Sequence, residues 1–114
     1  MPLVIQSKQL HPDIMVLEMT GKIMMGNDYR QVEWTTQKPV AADKKKIIFD
    51  LTGVTHIDST GIGIIVMVAG QMKKAGGGLR VAAANQHIEQ LLKMTNVDQI
   101  VGLHPTTEAA AAGF

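Results

Sequence analysis

The chain has 114 residues, a length suited to one domain built around one hydrophobic core. Hydrophobic residues make up 46% and charged residues 18%, a balance that excludes a disordered chain. A formal net charge of +1 gives no field to draw in nucleic acid or an anionic membrane, and the lack of cysteine excludes disulfides, thiolate zinc sites and cysteine nucleophiles.

The start, Met1 to Lys8, carries no long apolar stretch behind a basic segment, so no secretory signal is expected. Leu3 to Gln6 reads as a short strand, with Pro12-Asp13 as a turn signal behind it. Ile14 to Thr20 reads as a second strand ended by Gly21, close enough to pair antiparallel with the first. Asn27 is placed to cap a helix over Asp28 to Gln37, with Tyr29, Val32 and Thr36 as its inner stripe and Pro39 as its stop. Ala41 to Lys45 is polar loop. Lys46 to Leu51 is a continuous apolar run, which predicts a strand buried on both faces.

Ser59 is placed to cap a helix running to about Lys74, ended by Gly76-Gly77-Gly78. This helix is apolar nearly all round. Ile62, Ile65, Val66, Ala69 and Met72 form one face; Ile64, Met67, Val68 and Gln71 form a flanking one. A helix with two apolar faces either lies deep in a core or offers one face to a partner. Its stretch from Ile62 to Ala69 is far shorter than the ~20 residues of a membrane span, so a soluble, cytoplasmic protein is expected. Leu79 to Ala83 is another strand. Asn85 caps a helix from Gln86 to Met94 with Ile88, Leu91 and Leu92 inward, Ile100 to Leu103 is a last strand, and Thr106-Thr107-Glu108 starts an Ala-rich helix. The order β-β-α-β-α-β-α-β-α predicts a small α/β sandwich: a mixed sheet of four to five strands with about four helices, residues 1–114 forming one domain.

The strand-to-helix turn Asp58-Ser59-Thr60-Gly61 is the candidate site, because sites in such folds gather at the carboxyl ends of the strands. A serine at a helix start meets backbone N–H groups and the positive end of the helix dipole, a setting that suits an anion. A phosphate on Ser59 would add about −1.5 to −2 charges beside Asp58 on a weakly charged surface. The plainer reading is that Ser59 is only a cap. A serine hydrolase is disfavoured, since Ile57-Asp58-Ser59-Thr60-Gly61 lacks the first glycine of Gly-x-Ser-x-Gly and an adjacent Asp58 opposes an oxyanion. Gly76 to Gly78 lacks the Lys and Ser/Thr of a phosphate loop. The histidines at 11, 56, 87 and 104 show no ligand spacing, so neither metal nor cofactor is expected; His56 is near enough in sequence to tune Asp58. Of eight methionines, Met15, Met19 and Met72 read as core filler, while Met24-Met25 and Met67 suit an adaptable binding surface.

The run Ile47-Ile48-Phe49-Asp50-Leu51-Thr52-Gly53-Val54-Thr55-His56-Ile57-Asp58-Ser59-Thr60-Gly61-Ile62-Gly63 resembles the signature of STAS domains, specifically the bacterial anti-sigma-factor antagonists. The likeness extends through Gly76 to Gly78, Leu79 to Ala83 and Ile88 to Val97. It implies a STAS-like sandwich and a regulatory protein that is not an enzyme. By position, Ser59 would be phosphorylated by an anti-sigma factor with serine kinase activity, with Thr60 as the alternative acceptor. The unphosphorylated form would bind that kinase through Asp58, Ser59, Thr60, Gly61, Ile62 and Ile64; phosphorylation would release it and a serine phosphatase would reset it. A free helix face also allows a homodimer. One departure stands out: many relatives have an aspartate where this chain has Met24, which leaves a constitutive scaffold subunit of a stress-signalling or lipid-transport complex as the second reading.

Overall fold

The structure is a computed structural model that describes residues 3–11, 13–24, 30–32, 35, 46–112 and 114. Five strands form one sheet: β1 (Val4–His11), β2 (Ile14–Ile23), β3 (Lys46–Ile57), β4 (Gly78–Ala82) and β5 (Gly102–His104). The helices are α1 (Ser59–Lys74), α2 (Gln86–Met94) and α3 (Thr107–Ala111), with a 3-10 turn at Val97–Gln99. Residues 30–32 and 35 are also helical, with Val32 fully buried; the predicted cap Asn27 and the ends of that helix lie outside the described residues. β1 and β2 pair antiparallel, and each later strand joins its predecessor in parallel, so the sheet is mixed as expected and its order is β1-β2-β3-β4-β5.

Helices lie on both faces of this sheet. On one face Leu17, Met19, Ile47, Phe49 and Leu51 pack with Ile64, Ile65, Val68 and Met72 of α1 and Ile88 and Leu92 of α2. On the other, Ile14, Val16, Ile48 and Ala82 pack beneath Ala110 of α3. Ile47, Ile48 and Phe49 are thus buried in succession, as a strand covered on both sides requires.

All five strands differ in their bounds from the sequence expectation: β4 is Gly78–Ala82 in place of Leu79 to Ala83, β5 is Gly102–His104 in place of Ile100 to Leu103, and the first three differ most. β1 runs to His11 because its polar residues still pair with β2 along an open edge. β2 passes through Gly21, whose φ of +112° lets the strand bend and continue to Ile23. β3 does not stop at Leu51 but reaches Ile57. Its register against β2 slips twice, from Glu18↔Asp50 to Thr20↔Gly53 and from Gly21↔Val54 to Lys22↔His56. Each slip leaves one more residue on β3 than on β2, which is a bulge. The buried positions therefore become Leu51, Val54 and Ile57, three apart, and strict alternation is lost. Local side chains support these bulges: the Thr52 N–H donates to Asp50 Oδ1 at 3.0 Å, and the Thr55 hydroxyl donates to the Gly21 carbonyl at 3.3 Å. A Cβ on Gly53 would lie 2.7 Å from Thr20 Oγ1, so glycine permits the close approach there.

Helix α1 ends as expected: the Gly77 N–H donates to the Met72 carbonyl at 2.9 Å and Gly76 takes a φ of +86°. Gly70 sits in the exposed interior of α1, where an added Cβ would meet nothing within 4 Å. Gly70→Ala is expected to stabilise the fold by about 0.5–1 kcal/mol, read as a raised midpoint in urea unfolding.

Behind the sheet, the chain's last residues are clasped by two cations. Arg80 Nη1 donates to the carbonyls of Ala110 at 2.7 Å and Ala112 at 3.0 Å, and its guanidinium carbon lies 4.3 Å from the Phe114 ring centre. Lys46 Nζ donates to the Phe114 carbonyl at 3.0 Å and to Asp13 Oδ2 at 2.9 Å. Arg80→Ala is expected to cost about 2 kcal/mol, the sum of charge-assisted hydrogen bonds and a cation–π contact, measured as a lowered Tm.

Candidate functional site

The site forms where β3 hands over to α1. Ile23 and Ile57 are register partners at the ends of adjacent parallel strands, and both are buried. The next residue, Asp58, keeps an extended backbone and accepts from the Gly61 N–H through Oδ1 at 2.8 Å. Its own N–H donates to the Ile23 carbonyl at 3.3 Å, and its carbonyl accepts from Ile62 N–H at 3.0 Å. Asp58 is therefore the N-cap, and Ser59 is the first helical residue; the assignment of the cap to Ser59 is corrected by one position. The reason is chemical: a carboxylate answers the positive helix end more strongly than a hydroxyl, and extended Asp58 reaches the third residue on.

With the cap supplied by Asp58, Ser59 is exposed at the mouth of the helix. Thr60 beside it is half-buried. Gly61 is buried, and a Cβ there would collide with the Ile23 carbonyl oxygen and come within 2.8 Å of Ile57 Cγ2. The first turn of α1 is thus pressed against the ends of both strands, and this contact fixes the rotation of the helix. Gly61, Ile64, Ile65, Val68, Ala69 and Met72 turn inward.

The inner face consequently differs from the one drawn from spacing. Ile64 is fully buried, so its side chain offers no surface to a partner, contrary to its place among the predicted contacts. Val66, grouped by spacing on one face with Ile65, Ala69 and Met72, is 37% exposed while those three are buried, and Ile62 is half-buried. Gly63 lies between them with open space where a Cβ would be. The outer face of α1 is therefore Ser59, Ile62, Gly63, Val66 and Gly70, uncharged until Lys73. Met24, next to the Ile23 carbonyl that receives Asp58, is 39% exposed and borders the same region. His56 is exposed with Nδ1 at 3.0 Å from Thr55 Oγ1, while the Asp58 carboxylate faces the Gly61 N–H.

The predicted methionine roles divide in the same way. Met19 and Met72 are buried and Met15 packs against the core; Met67 is half-buried on that core as well, and Met25 lies outside the described residues. Ile88 and Leu92 turn inward from α2 as expected, and Leu91 is half-buried. On the opposite face of the sheet, an open polar groove of about 460 Å³ runs between α3 and the first strands, lined by Lys8, Glu18, Asp50, Thr52, Thr106 and Glu108 among others. Sequence reasoning did not reach this groove, because it assembles residues far apart in the chain. Among the described residues no group of His, Asp and Glu is arranged to hold a metal ion, and no helix is long and apolar enough to cross a membrane.

The site is thus an exposed serine on the first turn of α1, at the carboxyl end of a strand in a five-stranded mixed sheet. Residues 6–110 match the family model of the STAS domain, and the chain belongs to that family. Its sequence is 26% identical over 98 residues to a candidate anti-sigma factor antagonist of Thermotoga maritima, covering 86% of this chain and 87% of that protein. The crystal structure of a candidate antagonist from that organism superposes with a TM-score of 0.84 at 25% identity, covering 93% of this chain and 90% of the other. The fold is also that of the Bacillus anti-sigma factor antagonist SpoIIAA. Its unphosphorylated form matches with a TM-score of 0.74 at 12% identity over 92% of this chain and 91% of that one; its phosphorylated form gives 0.74 at 13% over 94% and 96%. These relatives are anti-sigma factor antagonists by name, and the expected STAS fold is the one observed.

Proposed function

We propose that this protein is a cytoplasmic, phosphorylation-controlled binding switch. In this reading residues 1–114 act as one STAS domain, unphosphorylated Ser59 permits binding to an anti-sigma factor with serine kinase activity, phosphorylation releases that partner, and a serine phosphatase resets the site. The supporting observation is the exposure of Ser59 at the first helical position, with the capping task already taken by Asp58. The hydroxyl is accessible and its modification breaks no packing. That a related fold exists in named unphosphorylated and phosphorylated forms supports the same reading.

The switch would act through desolvation. The partner would cover Ser59, Thr60, Ile62 and Val66, with Asp58 and Gly61 holding the turn and Ile64 acting from within the core. A phosphate dianion placed beside Asp58 in that face would have to lose water against apolar groups and a neighbouring carboxylate. Intact-mass spectrometry after incubation with a candidate anti-sigma kinase and ATP tests the reading, with fragmentation to place the phosphate. One phosphate on Ser59 supports it, and a phosphate on Thr60 moves the site by one residue. The second reading, a constitutive scaffold subunit, draws support from Met24: an exposed thioether beside the site suits a permanent apolar contact. It requires co-purification with a partner and no phosphate.

A further inference from the structure

β1 forms one edge of the sheet. β1 is eight residues long and ends the sheet; among the described residues no strand pairs with its outer side. It alternates across two faces. Val4, Gln6 and Lys8 pair with Thr20, Glu18 and Val16 on the face roofed farther along by α3, and Leu10 packs against that same cluster. Val4 is 46% exposed there, since α3 does not extend over it. An edge of this length presents a row of backbone donors and acceptors that a further strand can complete.

We propose that this edge pairs antiparallel with β1 of a second copy of the chain, centred on Ser7, to give a continuous ten-stranded sheet. The register follows from three constraints. Backbone groups that point outward alternate along the strand, so a residue must pair with one of equal parity and side chains keep their faces. Centring on Lys8 would set the two lysines directly against each other, which is unfavourable. Centring on Gln6 would bring Lys8 against the exposed Val4 and leave Gln9 and Leu10 outside the ladder. Centring on Ser7 places Val4 against Leu10, Ile5 against Gln9 and Gln6 against Lys8. It covers the exposed valine with an apolar partner, opposes no like charges and uses the strand up to its bulge beyond Gln9. The occupant is a second copy because this edge complements itself: its one cation meets an amide and its two end apolar residues meet each other.

The chain has no cysteine, so single cysteines report the register directly. Ser7→Cys is expected to form a covalent dimer under mild oxidation, since position 7 faces itself. Gln9→Cys is expected to stay monomeric on gels, its two copies lying about 13 Å apart along the strands. Sedimentation equilibrium of the unmodified chain is expected to show twice the chain mass. Gln6→Lys, which sets lysine against Lys8 of the other copy while facing Glu18 within its own, is expected to keep the fold and raise the dimer Kd on the order of tenfold. A chain that stays monomeric in sedimentation overturns the proposal. So does cross-linking of Gln9→Cys as readily as Ser7→Cys, which would indicate another interface, and so does a complex formed only with a foreign extended peptide.

Discussion

Ser59→Asp is expected to weaken binding to an anti-sigma kinase by about 2 kcal/mol, roughly thirtyfold in Kd, while Ser59→Ala binds like the unphosphorylated parent and no longer responds to ATP. Isothermal titration with the kinase measures both. The structure gives the reason that these variants remain comparable. Because Asp58 and not Ser59 accepts from the Gly61 N–H, neither substitution removes the cap, and an exposed side chain changes stability by no more than about 0.5 kcal/mol. A difference in binding then reports charge alone. Aspartate carries only part of the charge of a phosphate, so the phosphorylated chain is expected to bind more weakly still. Equal affinities of the two variants would refute the switch and leave the scaffold reading.

Gly61→Ala is expected to destabilise the fold by about 2 kcal/mol, whereas Gly70→Ala in the same helix moves stability the other way. Helix propensity alone favours alanine by ~1 kcal/mol at both positions. At position 61 the new methyl would strike the Ile23 carbonyl oxygen, a backbone atom already engaged with the Asp58 N–H, and would press on Ile57. Relief requires the first turn of α1 to lift from the strand ends, and overpacking of this kind costs about 1–3 kcal/mol beyond the propensity gain. Urea unfolding of the two variants measures the opposed signs. Since the same shift moves Ser59, Gly61→Ala is also expected to lower the rate at which a kinase modifies the site. A Gly61→Ala chain as stable as the parent would show that the contact with Ile23 does not hold the turn in place.

The elements legible in the sequence were those with local punctuation. Residue type marks Asn85 as a cap and Thr106-Thr107-Glu108 as a helix start, and Asn85 and Thr106 each accept from the N–H three residues on, at 2.8 and 3.0 Å. The end of α1 was read from its glycines. The far half of β3 was not legible, because two bulges turn its buried positions into a spacing of three, which resembles neither a strand nor a helix. The inner face of α1 was also beyond sequence reasoning. A helix apolar nearly all round is only weakly oriented by its own pattern, and the contact of Gly61 with Ile23, which no local spacing shows, helps to set its rotation. The sequence points to the serine but not to which residue caps the helix, since Asp58 and Ser59 are both good caps and only the extended backbone at 58 decides between them.

The sheet's order repeats the order of the chain, and this bears on how the molecule is made. Each strand emerging from synthesis can add to an edge that its predecessor has already formed. No strand must be inserted between two that are paired, so loops close one at a time and their entropic cost is met in small steps. α3 and Phe114 lie after every strand in the chain, so they seal the rear of the sheet once Lys46 and Arg80 are in place to receive them. Until that moment Ile14, Val16 and Ile48 remain open to water, so the nascent chain is guarded against association only after α3 and Phe114, which follow every strand, have been made.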